Sequence, residues 1–431
     1  MKAQLLIGAP TSGTGKTTFT LGLLRAMRNR GLDVQAFKCG PDYIDTKYHS
    51  VAASRPSVNL DLFMSTKKHV NELYSKYTSD ASVSIIEGVM GLFDGSNKMK
   101  NSSAEVAELL STKVLLIVNA KAVAYSVAPL LYGFKNFYKN IEIAGVVFNF
   151  VSSESHYSFL KVAAEDVGIE PLGYIPRNEG LEIPSRHLGL CIEDENCFDD
   201  FADKVAVQIE KTVDVSRLLE IYSTDEPVYI PVKEKETSNL RIAVAKDDAF
   251  NFIYHENINA LSKLGDIEFF SPMFDIGLPK DTDFVYLAGG YPELYMKELS
   301  NNTSMHDSIK EYCENGGRLL AECGGMMYLC DNIFDIKGNK FPMVGILNQD
   351  ASMENMKLHL GYRRIMYENK EYRGHEFHYS QIINSKEKNI VGDIFTARDT
   401  EIDTKIFKYN NVLASYIHFY WGEKSILDLW K

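Results

Sequence analysis

LLIGAPTSGTGKTT, residues 5–18, decides the fold of the first half of this chain. The apolar run Leu5 to Ile7 predicts a buried strand, and a helical pattern begins at Lys16. A glycine-rich loop between a strand and a helix presents backbone N–H groups to a phosphate, and the helix start adds positive potential. Pro10 stands where the strict G-x-x-x-x-G-K-[ST] pattern has its first glycine. Because the rest of the pattern holds in its strand–loop–helix context, we predict a nucleotide loop rather than a glycine turn that caps a helix.

The loop gives its side chains separate roles. We expect Lys16 to reach the β- and γ-phosphate oxygens and the Thr17 hydroxyl to bind Mg²⁺. The residues predicted to contact ATP are Ser12, Gly13, Thr14, Gly15, Lys16, Thr17, Thr18 and, from the next strand, Lys38.

Two more strands of the first half end in polar residues. Strand 33–38 ends at Lys38 and strand 82–87 ends at Glu87. Loops at the carboxyl ends of parallel strands line the crevice of an open α/β sheet. We therefore predict metal binding by Thr17, Glu87 and Asp45, and substrate contacts by Asp42, Tyr43, Asp45 and Asp94. The alternatives are a solvated turn after Lys38 and an Asp94 that only caps the turn with Gly95.

Composition limits the class of protein. At 431 residues the chain is too long for one ordinary core, and 45% hydrophobic with 24% charged residues is typical of a soluble globular protein. The net charge of -12 argues against general nucleic-acid or anionic-membrane binding. Six cysteines without pairing or zinc spacing read as reduced thiols. We expect a cytoplasmic protein with neither signal peptide nor membrane span, and a homodimer is one expected assembly.

Alternation of strands and helices predicts an α/β fold with two domains. The first half has strands at 3–8, 33–38, 82–87, 113–118 and 143–149, with helices such as 16–30 and 102–111 between them. The second half has strand-like runs at 240–245, 267–270, 283–288, 317–321, 343–347 and 412–418. A proline- and charge-rich stretch between the halves has linker composition. We predict a parallel-sheet ATP domain over 1–225, a linker over 226–239 and a second α/β domain over 240–431.

Cys323 is the candidate nucleophile of the second half. It follows the buried run Leu319 to Ala321 and precedes Gly324 and Gly325. Small residues permit the sharp strand-to-helix turn of a nucleophile elbow, and the helix start is expected to lower the thiol pKa. The alternative, a structural buried cysteine, is the less favoured interpretation beside two glycines.

A nucleophilic thiol requires an oxyanion hole and a base. The strand 283–288 ends in two glycines, so we predict oxyanion N–H donors at Gly290 and Gly324. The base should be a histidine, and His418 follows an apolar run near the chain end. His375 and His378 are rivals, and the residues alone do not decide among the three.

Six motifs in order resemble the cobyrinic acid a,c-diamide synthase family along essentially the whole chain. In the first half they are SGTGKTT at 12–18, FKCGPDYID at 37–45 and EGVMGLFDG at 87–95. In the second half they are GGYPEL at 289–294, AECGGMMYL at 321–329 and RGHEFHYS at 373–380. Each motif is shared more widely, whereas the ordered set is specific.

The resemblance implies a dethiobiotin-synthetase-like ATP domain followed by a class I glutamine amidotransferase domain. It implies that ATP phosphorylates a tetrapyrrole carboxylate and that Cys323 releases ammonia from L-glutamine, with His418 as the base. Class I amidotransferases usually carry Glu two residues after this histidine, but here the position is Tyr420. The departure is known in this family, and it implies a Cys–His dyad in which Glu376 could orient His418.

Three alternatives remain at the level of sequence. The same reaction on nickel sirohydrochlorin, on the route to a nickel-tetrapyrrole coenzyme, involves a closely similar enzyme. Cobyric acid synthase, which amidates four other side chains, fits less well in its phosphate loop and length. A P-loop ATPase switch with an inactive second domain is the alternative of another class, and an intact Cys323 and His418 argue against it.

Overall fold

The computed structural model describes residues 2–181, 185–186, 189–190, 195–224, 239–386 and 388–431. The chain divides into two compact units, one of residues 1–62 and 66–232 and one of residues 63–65 and 233–431. Of the predicted linker 226–239, only Asn239 lies within the described residues, and its boundaries stay a prediction. Among the described helices, none has both the length and the apolar character needed to cross a bilayer.

The first unit is built on a mostly parallel sheet whose strand order is β3-β2-β4-β1-β5-β6-β7, with β10 antiparallel to β1. Its central strand β1 is predominantly buried, and apolar side chains fill cores on both sheet faces. The strands are β1 Lys2–Gly8, β2 Val34–Cys39, β3 Val58–Leu60, β4 Val83–Glu87, β5 Lys113–Asn119, β6 Ile143–Val151, β7 Glu170–Pro176, β8 Ser185–Arg186, β9 Gly189–Leu190 and β10 Ser223–Thr224. The helices are α1 Lys16–Asn29, α2 Ile44–Ala53, α3 Lys67–Thr78, α4 Ser103–Leu109, α5 Val127–Phe137, α6 Glu154–Val167, α7 Glu195–Thr212 and α8 Val215–Ile221.

The second unit contains a six-stranded sheet of order β12-β11-β13-β14-β23-β22 and two four-stranded sheets of orders β16-β15-β17-β20 and β21-β18-β19-β24. In the six-stranded sheet only β22 runs antiparallel. The strands are β11 Leu240–Ala245, β12 Gly265–Phe270, β13 Phe284–Leu287, β14 Arg318–Glu322, β15 Cys330–Phe334, β16 Lys340–Pro342, β17 Leu347–Ser352, β18 His359–Tyr367, β19 Lys370–His378, β20 Gln381–Ile383, β21 Asp393–Thr396, β22 Ile406–Tyr409, β23 Val412–Ser415 and β24 Ile417–Phe419. The helices are α9 His255–Ser262, α10 Met296–Asn301, α11 Thr303–Glu314 and α12 Gly324–Leu329.

The α/β fold class is confirmed, and the structure corrects two of the predicted strands. The run 343–347 is not a strand, because residues 343–346 are irregular and β17 begins only at Leu347. The run 412–418 is two strands: β23 continues the six-stranded sheet, and the chain then leaves it at Tyr416 so that β24 pairs with β19. A continuous apolar run shows burial but not which sheet each residue joins, so the break was invisible in the sequence.

Candidate active sites

The phosphate loop joins β1 to α1, and a hydrogen bond connects it to β6. Gly13 and Gly15 have φ values of 74° and 86°, a backbone region that favours glycine. Asn149 on β6 donates from Nδ2 to the Thr14 carbonyl oxygen at 2.8 Å. A Cβ on Gly15 would lie 2.1 Å from this Nδ2 atom, so the close approach requires glycine. Asn149 is a contact that the sequence analysis missed, although its place near the end of a parallel strand was a usable signal.

Lys16 begins α1 and is largely buried. Its Nζ donates to the carbonyl oxygen of Met90 at 2.6 Å, in the loop that follows β4. Burial lowers the pKa of Lys16, and nearby Glu87 partly opposes that shift. The ammonium therefore lies against the loop, where it is able to exchange a carbonyl partner for an anion.

The carboxyl ends of β2 and β4 bring together four of the predicted residues. Glu87 Oε1 accepts from Thr17 Oγ1 and from Lys38 Nζ, each at 2.8 Å. Asp45, on α2, accepts from Lys38 and lies 3.4 Å from Thr17 Oγ1. His49 Nε2 lies 2.7 Å from Glu87 Oε2 and was not foreseen, because a helix residue faces the strand end only after α2 has packed.

The charges in this cluster compensate one another. Burial disfavours a charged Glu87, yet Lys38 and His49 hold the pKa of its carboxyl below the ordinary value. Burial likewise disfavours the Lys38 ammonium, and Asp45 and Glu87 raise its pKa above the usual range. Burial raises the pKa of Asp45 to about 6 despite Lys38. We infer a buried ion cluster that is stable because each charge has an opposite neighbour.

The same cluster offers oxygen ligands to a metal ion. A threonine hydroxyl and two carboxylates, those of Asp45 and Glu87, form the hard donor set that Mg²⁺ prefers. Lys38 now supplies the positive charge between the two carboxylates. These residues fit Mg²⁺. An ion bound to both carboxylates would lie where the Lys38 ammonium now lies, so the ammonium would have to move aside.

Three predicted substrate residues lie at neighbouring turns. Asp42 Oδ1 accepts from the N–H groups of Ile44 and Asp45 at 2.9 and 2.8 Å and so shapes the start of α2. Asp94 Oδ2 accepts from the Gly91 N–H at 2.9 Å, and Tyr43 is buried. These carboxylates have structural partners, and their contact with a substrate stays a prediction.

A cleft opens beside the phosphate loop in the same unit. It is lined by apolar side chains and amides, among them Asn149, Phe150, Ile175, Pro176 and Asn178. An apolar cleft with a few amide groups suits a flat, polar-edged ring.

In the second unit Cys323 lies in a strained turn between β14 and α12. Its φ and ψ are 47° and -103°, far from the regular regions of a non-glycine residue. The Cys323 N–H donates to the Ser415 carbonyl at 2.7 Å, and its Sγ lies 3.7 Å from the Phe377 carbonyl oxygen. A Cβ on Gly325 would lie 2.3 Å from the Leu287 carbonyl oxygen, so the turn requires a residue without a side chain there.

The two predicted oxyanion donors lie close together. The Gly290 nitrogen is 3.2 Å from the position that a Cβ on Gly324 would occupy. The Gly290 backbone thus approaches the turn that carries the thiol, and the role of the two N–H groups as oxyanion donors stays a prediction.

His418 on β24 is fully buried against Gly289 and near Glu322. A Cβ on Gly289 would lie 2.2 Å from the ring atom Cε1 of His418. The ring atom Nδ1 lies 3.9 Å from Glu322 Oε2. The backbone of Gly289 therefore packs directly on the imidazole and limits its position.

Burial favours the uncharged forms of the thiol and the imidazole. Burial raises the pKa of Cys323 well above its ordinary value, and Glu293 adds to the shift. Burial lowers the pKa of His418 to about 3, and His375 adds to that shift. The expectation that the helix start lowers the thiol pKa is wrong for this state, because α12 has six residues and burial outweighs its dipole.

Glu376 and His378, which the sequence also offered for the thiol site, belong to a hydrogen-bonded cluster of their own. His378 Nε2 lies 2.8 Å from Glu376 Oε1, and Arg363 and Thr404 also donate to this carboxylate. In the β19–β24 register Glu376 is opposite Ile417, so it faces away from His418. His359, Glu376 and His378 are grouped closely enough to hold a metal, but Arg363 already neutralises the carboxylate. The charge of Glu376 nevertheless acts to raise the pKa of His418, and its role as an orienting residue stays a prediction.

The contact between Gly289 and His418 leads to a prediction. We expect Gly289→Ala to lower the rate of glutamine hydrolysis by about 10²-fold. The new methyl group would overlap the His418 ring and push the imidazole out of its catalytic position. Amidation with ammonium salts should persist. Gly133→Ala is the matched control, since a Cβ there meets nothing within 4 Å. Glutamate release measured at saturating glutamine checks this, and equal activity of the two variants would contradict it.

Comparisons with known proteins agree along the chain. Residues 5–190 match the CobQ/CobB/MinD/ParA nucleotide binding domain, and residues 241–426 match the CobB/CobQ-like glutamine amidotransferase domain. A cobyrinate a,c-diamide synthase of Caldanaerobacter subterraneus is 39% identical over 430 residues, covering 96% of this chain and 94% of the relative. That of Saccharolobus solfataricus is 37% identical, covering 97% of this chain and 98% of the relative. That of Methanocaldococcus jannaschii is 37% identical, covering 96% and 95%.

Proposed function

The chain belongs to the cobyrinate a,c-diamide synthase family of ATP-dependent, glutamine-using amide ligases, and from that membership we propose that it amidates the a and c carboxylates of cobyrinic acid. One observation carries the proposal. The same chain holds Lys16, Thr17 and Glu87 close together around the loop after β1, and Cys323 in a strained turn between β14 and α12. The first can activate a carboxylate, and the second can release the nitrogen that replaces its oxygen.

The glutamine half of the reaction begins at Cys323. Its thiol proton passes to His418 while Sγ attacks the side-chain carbonyl carbon of glutamine. The carbonyl oxygen gains charge and accepts from the N–H groups of Gly290 and Gly324. His418 then returns the proton to the leaving nitrogen, which departs as ammonia. Water hydrolyses the remaining thioester, releasing glutamate and restoring the thiol.

The ATP half of the reaction depends on the phosphate loop. Lys16 exchanges the Met90 carbonyl for β- and γ-phosphate oxygens, while the cleft lined by Phe150 and Asn178 receives the nucleobase. A Mg²⁺ ion held by Thr17, Asp45 and Glu87 would neutralise phosphate charge. A carboxylate oxygen of the substrate attacks the γ-phosphorus, forming an acyl phosphate and ADP. Ammonia then attacks the acyl carbon, and inorganic phosphate leaves.

The chemistry explains why both halves occur in one chain. A free carboxylate is a poor acyl donor, and phosphorylation makes its carbon attackable. Ammonia in water at neutral pH is mostly ammonium, which has no lone pair to attack with. Release from glutamine delivers the nitrogen in its unprotonated form.

A substrate comparison tests the proposal. The purified full chain is incubated with ATP, glutamine labelled at the amide nitrogen, and either cobyrinic acid or nickel sirohydrochlorin. We expect two labelled amides on cobyrinic acid, with one ADP and one glutamate formed for each. Labelling of nickel sirohydrochlorin alone would overturn the corrinoid assignment. ATP turnover that requires neither glutamine nor tetrapyrrole would instead support the ATPase-switch alternative.

A further inference from the structure

We propose that Glu322 is the positioning carboxylate of His418, so that the thiol site is a triad of Cys323, His418 and Glu322. This inference rests on the proposed glutamine hydrolysis and adds a residue to it. The third member thus precedes the nucleophile in sequence instead of following the histidine, where Tyr420 stands.

The position of Glu322 follows from strand geometry. It is the last residue of β14 and is 1% exposed, directly before Cys323. Side chains alternate along a strand, so Glu322 shares a face with Leu320 and not with Ala321. Leu320 belongs to the core that also contains Ile417 and Phe419. His418 alternates with these two residues along β24, so its closeness to Glu322 rests on the 3.9 Å distance between Oε2 and Nδ1. A glutamate side chain that is buried in an apolar core requires polar partners for its carboxyl group.

Two hydrogen bonds hold the Glu322 carboxylate in place. Tyr286 Oη donates to Oε2 at 2.7 Å, and the Phe419 N–H donates to Oε1 at 3.0 Å. Phe419 directly follows His418, so the second bond ties the carboxylate to the strand that carries the imidazole. Rotation of the carboxylate is therefore restricted before any substrate binds.

One carboxylate oxygen also lies near the imidazole. Glu322 Oε2 lies 3.9 Å from His418 Nδ1. This is about 1 Å longer than a hydrogen bond, and catalytic hydrogen bonds are often long in the free enzyme and shorten in the substrate complex. A carboxylate at Nδ1 keeps the proton on that nitrogen and leaves Nε2 free to take the thiol proton.

The electrostatics of the pair agree with this role. Burial raises the pKa of Glu322 to about 8 and lowers the pKa of His418 to about 3, so each group resists ionising alone. A carboxylate and an imidazolium that form side by side offset part of each other's cost. An imidazolium formed when His418 accepts the thiol proton would therefore be stabilised by the ionised form of Glu322.

Glu322→Gln tests the proposal because it changes the charge and hardly the shape. If the amide oxygen keeps the Phe419 N–H bond, the amide nitrogen faces Tyr286 and His418. Nδ1 must then accept, which leaves Nε2 protonated and unable to act as the base. We expect kcat for glutamine hydrolysis to fall by about 10²–10⁴-fold, with KM nearly unchanged. Amidation with ammonium salts by the same preparation should persist and reports on the fold.

Controls separate positioning from packing. Tyr420→Phe, at the position where the usual glutamate is missing, should retain wild-type hydrolysis. In a His418→Ala background, Glu322→Gln should cause no further loss, because Glu322 acts through the imidazole. An equal loss in that background, or a near-normal kcat in the single variant, overturns the proposal. Where Glu322→Gln does not fold, Glu322→Asp must show a reduced but measurable kcat that depends on His418. A wild-type chain without glutamine hydrolysis would instead reject the proposed function itself.

Discussion

Cys323→Ala is expected to abolish glutamine-dependent amidation, by at least ~10⁴-fold, while amidation with ammonium salts continues. Without Sγ the site has no atom that can form the thioester, and neither His418 nor the N–H groups of Gly290 and Gly324 can replace it. The ATP half of the reaction uses other residues, so it still activates the carboxylate. Product formation with each nitrogen source, measured on one preparation, gives the ratio that checks this.

Cys313→Ala is the matched control for the thiol. Cys313 is also a fully buried cysteine, but it lies in the core on α11. Its replacement should leave both nitrogen sources effective, apart from a modest loss of stability. If Cys323→Ala also loses the ammonium-dependent reaction while the chain remains folded, the division of labour between the two sites is wrong.

The phosphate-side cluster was predictable because its residues end neighbouring parallel strands. Lys38 and Glu87 close β2 and β4, and Thr17 begins the helix after β1. The carboxyl ends of parallel strands meet at one edge of the sheet, so local strand signals imply a shared site. His49 could not be found in this way, since its contact with Glu87 depends on how α2 packs.

The sharp strand-to-helix turn at Cys323 was predictable from the sequence, but the pKa of its thiol was not. Glycines on both strand ends foretold the close approaches at Cys323 and Gly290. The helix start suggested a lowered thiol pKa, but the depth of burial depends on the whole core around the turn and reverses the sign.

The sequence around Glu322 contained evidence of a functional role that the sequence analysis did not use. An acid at the end of the apolar run LLAE is costly to bury without a partner. The identity of that partner was not available, because β24 reaches Glu322 only after the chain leaves β23 at Tyr416 and changes sheets. Sequence patterns within one strand contain no information about such a long-range change.

The proposed ATP half of the reaction depends on Lys16, whose ammonium would exchange a carbonyl oxygen for a phosphate oxygen. Its partner, the Met90 oxygen, belongs to a residue with φ of 52°, so the loop after β4 presents this carbonyl through an unusual backbone conformation. Lys38 differs from Lys16 in that its ammonium is paired with the carboxylates of Asp45 and Glu87. In the proposed mechanism Lys16 is therefore the cation that meets the phosphates.

Lys16→Ala should lower amidation by about 10²–10³-fold with glutamine and with ammonium salts alike, because the charge that develops on the transferred phosphoryl group loses its positioned cation. Glutamine hydrolysis at Cys323 needs no phosphate and should continue, which reverses the pattern expected for Cys323→Ala. Lys211→Ala, at an exposed lysine on α7, is the matched control and should leave every activity intact. ADP formation and glutamate release are measured in parallel for the three proteins. Amidation that survives in the Lys16 variant would mean that the loop at residues 12–18 does not handle the reacting phosphate, and the ATP half of the mechanism would have to be placed elsewhere in the chain.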